Sequence, residues 1–200
     1  MTRTAFRLPL IVAALLTASS AAEAHTGVGS TSGFAHGFMH PIGGADHVLA
    51  MVAVGLFAAH LGGRPLWLVP LSFVSMMIVG GALGMAGVPV PFVELGIGLS
   101  VVALGAAVAF GLDIPASAAM ALVGFFAIFH GHAHGAEMPD TASGLAYGLG
   151  FVLATAALHG LGIGLGLAIG GMNRIHGRRI LQVAGSAMAL CGIAILAGHL

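Results

Sequence analysis

Six apolar runs, each of bilayer-spanning length, leave this chain very few folds. They occupy about 43–62, 65–87, 91–111, 115–136, 143–171 and 178–199 of its 200 residues. A hydrocarbon core about 30 Å thick takes about 20 apolar residues of helix, and a backbone inside it must satisfy its own hydrogen bonds. No stretch alternates apolar and polar residues as a half-buried strand does, so the expected fold is an all-α integral membrane protein, a six-transmembrane-helix bundle. Between the runs stand helix stops and starts such as Gly62-Gly63-Arg64-Pro65, Gly87-Val88-Pro89-Val90-Pro91 and Gly111-Leu112-Asp113-Ile114-Pro115. None of these connections is long enough to hold a soluble domain.

Residues 1–24 read as a cleaved signal peptide, with Arg3 and Arg7, the apolar run Leu8 to Leu16, and the small-residue end Ala22-Glu23-Ala24. A single membrane domain then covers 25–200 and begins at His25. Export of that end puts the mature N-terminus, and after six crossings the C-terminus, in the periplasm of a bacterium, with the chain in the cytoplasmic (inner) membrane. Arg64, Arg174, Arg178 and Arg179 then all fall on the cytoplasmic side, where positive residues concentrate.

Several functions are excluded by what the chain lacks. With 6% charged residues and no lysine, it offers no basic patch to nucleic acid and no P-loop ammonium to ATP. Its glycines match no dinucleotide fingerprint, so no organic cofactor is expected. Cys191 stands alone and forms no internal disulfide. The glycines recur at every fourth position in Gly80/Gly84, Gly144/Gly148, Gly160/Gly164 and Gly162/Gly166/Gly170. Such spacing lets helices approach closely within the bundle, and it also fits a homo-oligomer face.

Ionisable residues in a span are expensive, so each is a functional candidate until a partner explains it. In FHGHAHGAE, residues 129–137, His130, His134 and Glu137 share one helix face while His132 points roughly opposite. In HGFMHPIGGADH, residues 36–47, the dense part is His40, Asp46 and His47, and Pro41, Gly43 and Gly44 predict a bend between them. His36 precedes His40 by four residues and Met51 follows His47 by four. The topology puts both clusters at the outer membrane face. Together they predict a divalent-metal site of His40, Asp46, His47, His130, His134 and Glu137. Imidazole with some carboxylate suits nickel, cobalt, zinc, copper or iron. His25, His36, Met51, Glu94, His132 and His159 are further candidates for the site or for a path, while His60, His176 and His199 read as interfacial.

At these residues the chain resembles the HupE/UreJ family of nickel permeases. The family's H-x5-D-H is matched by His40, Asp46 and His47, and its F-H-G-x-A-H-G-x-E by Phe129, His130, Gly131, Ala133, His134, Gly135 and Glu137. The resemblance implies uptake of Ni2+, with Co2+ carried by relatives, and no enzymatic activity; Zn2+ is a further cargo that the same donors suit. Two other classes keep the same site: a membrane-embedded metal-dependent hydrolase, and a metal sensor or chaperone-like subunit. A polar path through the inner half would separate transport from these, and there only His159 and His60 are evident.

Overall fold

A computed structural model describes residues 33–138 and 144–198. The expected signal peptide, mature His25 and His199 lie outside the described residues. Within them the chain is all helix: α1 Gly33–Gly43, α2 Ala45–Leu61, α3 Pro65–Met85, α4 Val93–Phe110, α5 Ala116–Ala136, α6 Gly144–Gly170 and α7 Arg174–Leu196. Five of these, α3 to α7, are each long and apolar enough to cross a membrane. The bent pair α1 and α2 passes the same test jointly and supplies the sixth span if it counts as one.

The helix expected over about 43–62 is α2, and a further helix that the sequence did not announce, α1, precedes it. The axis turns by 82° between α1 and α2. Gly44 carries the turn with an extended backbone, φ −99° and ψ 124°, and Asp46 opens the first turn of α2, where the helix dipole favours a carboxylate. Helix α1 is short and glycine-rich, and it is held by packing along α6. Gly37 meets the Tyr147 carbonyl and Gly150 meets the Phe34 carbonyl so closely that a Cβ at either position would collide with backbone. The last helix also differs from expectation, starting at Arg174 rather than 178. The Asn173 side chain accepts the Ile175 N–H at 3.0 Å and caps the helix there.

Helix α2 is the axis of the bundle. Every residue from Ala50 to Ala58 is buried, as a helix apolar on all sides requires. Around it stand α3, α4, α5 and α6, with α3 paired to α5 and α4 to α7. Their outward faces carry exposed large side chains, among them Leu71, Ile78, Leu149 and Leu153, the surface a lipid phase takes up.

The glycine expectation holds in part. Gly80 and Gly84 lie against α5 backbone, and Gly162 and Gly166 lie against α2. Gly148, Gly160, Gly164 and Gly170 have nothing within 4 Å of a Cβ position, so that face of α6 is not used inside the bundle.

Candidate metal site

The bend at Gly44 and the C-terminal end of α5 bring the two histidine clusters together at one end of the bundle. Four imidazoles stack edge to face in one continuous row. The His40 and His134 ring centroids lie 4.6 Å apart, those of His134 and His47 4.2 Å, and those of His47 and His130 4.6 Å. Ligand atoms of His40, His134 and Glu137 all lie within 4.8 Å of one another. His40 Nε2 is 3.3 Å from Glu137 Oε2, and His47 Nε2 is 2.5 Å from His134 Nε2.

The hydrogen bonds around the stack fix which nitrogens are free. Asp46 Oδ1 accepts from the His47 backbone N–H at 2.8 Å and from its Nδ1–H at 3.0 Å. That bond puts the proton on Nδ1 and turns the Nε2 lone pair toward His134, the usual way a carboxylate prepares a ligating imidazole. Ser100 does the same for His130. Its hydroxyl donates to the Ile97 carbonyl at 2.6 Å, so its oxygen accepts from His130 Nε2–H at 2.8 Å. His130 Nδ1 is thereby a bare lone pair, buried without a partner, as is His134 Nδ1. Buried polar atoms normally have partners, so two bare nitrogens in one cluster make it a candidate for ligation.

Exposure is graded along the stack. Side-chain exposure is 58% at Glu137 and 29% at His40, and His130 at the far end is fully buried. The carboxylate therefore stands at the exposed end of the row and the bare imidazole nitrogens at its buried end. Two carboxylates, Glu137 directly and Asp46 through His47, could balance the charge of a divalent cation, which a low-dielectric interior would demand.

The remaining candidates divide. His36 stacks on His40 with ring centroids 6.0 Å apart and is exposed at the rim. His132 leaves the cluster, and its Nε2–H donates to the Val88 carbonyl at 2.8 Å, tying α5 to the α3–α4 connection. Glu94 is exposed in the first turn of α4, with no hydrogen bond or ion pair to the cluster among the described residues. Met51 is fully buried in the α2 core one turn beyond His47. His159 is buried on α6. Of the histidines read as interfacial, His60 lies 3.3 Å from Asp113 at the opposite end of α2, and His176 is exposed in the first turn of α7. Ser100 was missed because a lone serine in a helix commonly bonds its own backbone; the cue was its place in an otherwise apolar span.

A cavity of about 570 Å³ between α3, α5 and α6 reaches His134 from the side. Apart from His134 and Tyr147 its lining is apolar and glycine, including Met77, Met85 and Met138.

A family model described as HupE / UreJ protein matches residues 13–195. Protein HupE of Rhizobium leguminosarum bv. viciae is 46% identical over 186 residues, covering 92% of this chain and 95% of that protein. No solved structure matches the chain.

Proposed function

The chain belongs to the HupE/UreJ family, and from that premise we propose that it is a permease carrying a divalent transition metal ion, nickel first, from periplasm to cytoplasm. His40, Asp46, His47, His130, His134 and Glu137 form its outer site. The observation that carries this reading is the stack of four imidazoles closed by a carboxylate, built from elements far apart in sequence and graded from exposed to buried. A family associated with nickel and cobalt transport supports it. Cobalt suits the same nitrogen-rich donors.

In this reading the ion is cargo. Glu137, His40, His47 and His134 would hold it, taking the place of its hydration shell with imidazole nitrogen and carboxylate oxygen. The membrane potential contributes about 2.3 kcal/mol per charge per 100 mV toward the cytoplasm, so no ATP is required. The positive-inside pattern of the arginines supports the inner membrane and this orientation.

Nickel influx into vesicles holding the purified protein and an interior metal-sensitive dye tests the proposal. Saturable influx is expected, lost in His134→Ala and retained in His132→Ala, whose imidazole serves the helix connection. Equal loss in both variants speaks against the assignment of the face.

The lateral cavity favours one second reading, a membrane-embedded metal-dependent hydrolase acting on an apolar substrate beside His134. Tight nickel or zinc binding with no influx into vesicles removes the permease, and metal-dependent cleavage of an apolar amide or ester then separates the hydrolase from a metal sensor.

A further inference from the structure

Below the stack, the inner half of the bundle holds buried polar groups that the outer site does not use. His159 on α6 is 2% exposed, and neither ring nitrogen has a hydrogen-bond partner. An imidazole in a helical bundle normally donates one proton and accepts another, and leaving both positions unmade is a standing cost to the fold. Its surroundings offer no structural use for it. The Phe73 ring lies against it edge-on, with centroids 5.1 Å apart, and the same ring packs on His130 at 5.6 Å. His130 and His159 therefore contact one and the same aromatic ring.

One turn of α6 nearer the outer end is Thr155, fully buried, whose hydroxyl donates to Met77 Sδ at 3.6 Å. Met77 stands one turn from Phe73 on α3. Thr155 and Met77 form one rung of oxygen and sulfur donors between α3 and α6, and His159 with Phe73 forms the next. Twelve residues of helix separate Tyr147, at the level of the outer site, from His159, a drop of about 18 Å at 1.5 Å per residue. That depth is near the middle of a bilayer about 30 Å thick.

We propose that His159 is an inner ligand station on the import route. It receives the cation from His130 past the Phe73 ring, with Thr155 and Met77 lending donors on the way. This deepens the transport reading and rests on it. The bare Nδ1 of His130 gives the ion up, and the two unpartnered nitrogens of His159 take it without breaking any hydrogen bond.

The test compares His159→Leu with His159→Met, two side chains of similar volume that differ in carrying a thioether donor. Nickel chloride influx into vesicles is measured beside equilibrium nickel binding and thermal unfolding of each purified protein. In His159→Leu, influx falls by about tenfold or more, binding at the outer site stays within about twofold, and the unfolding temperature does not drop, because an apolar residue replaces an unsatisfied polar one. In His159→Met, influx exceeds that of His159→Leu. Influx in His159→Leu within twofold of wild type overturns the station while leaving the permease intact. Both variants losing influx together with outer-site binding or thermal stability overturns it too, in favour of a packing role. A wild-type protein that binds nickel but admits none overturns the transport reading and this inference with it.

Discussion

Asp46 grips His47 twice through one oxygen, accepting the backbone N–H at 2.8 Å and the ring Nδ1–H at 3.0 Å. The two residues are adjacent on α2, so the carboxylate orients the ring without help from another helix. It also places negative charge beside the row of imidazoles. An amide in its place keeps the shape but loses that charge. Asp46→Asn is therefore expected to weaken nickel binding by about 10- to 100-fold, the range seen when partners of ligating histidines are removed. Calorimetric titration of the purified protein reads this directly, and an unchanged dissociation constant removes Asp46 from the site.

Ser100 plays the corresponding part for His130 from a different helix. Ser100→Ala leaves the His130 Nε2–H without its acceptor in a fully buried position. The unmade bond costs about 1–3 kcal/mol of stability, and the freed ring can rotate out of its place beside His47. Thermal unfolding should come at lower temperature and nickel influx should fall. Ser100→Thr keeps the hydroxyl and should keep most of the influx; if it fares no better than alanine, the hydroxyl is not what orients the ring.

Acid should oppose nickel binding. Ligation needs neutral imidazoles, whose ordinary pKa is about 6.5, so each proton bound below that value competes with the metal. At least three histidines contribute ring nitrogens to the stack, and affinity should therefore fall more steeply than in proportion to proton concentration between pH 7 and 5. Nickel affinity measured across that range in detergent checks the sign. A flat profile excludes histidine ligation as the dominant interaction.

The site was more legible in the sequence than the backbone that builds it. His130, His134 and Glu137 declare themselves because helical spacing puts them on one face, and polar groups in apolar runs have few other uses. The same spacing correctly set His132 apart. Pro41, Gly43 and Gly44 signalled a bend, but residues 33–43 are too short and too rich in glycine to read as a helix on their own. That element exists through its packing on α6, where Gly37 and Gly150 meet opposing carbonyls, and such long-range contact leaves no local pattern. Phe73 was invisible for the same reason, since it acts on residues from two other helices, and Ser100 left only the cue of a hydroxyl in an apolar span.

Close approach of α3 and α5 gives the last prediction. Gly131 and Gly135, inside the histidine motif of α5, lie against the backbone carbonyls of Met77 and Gly81 on α3. A methyl group at Gly131 would overlap the Met77 carbonyl, and two helix backbones cannot yield as a flexible side chain can. The helices must separate, shifting His130 and His134 relative to the rest of the stack. Gly131→Ala should thus cost at least 1–3 kcal/mol, roughly the range for overpacking, and weaken nickel binding as well. Gly148→Ala, where the same methyl meets nothing within 4 Å, is the matched control on α6 and should change neither property. If the two substitutions behave alike in thermal unfolding, the glycine of the histidine motif is not there to bring α3 and α5 together.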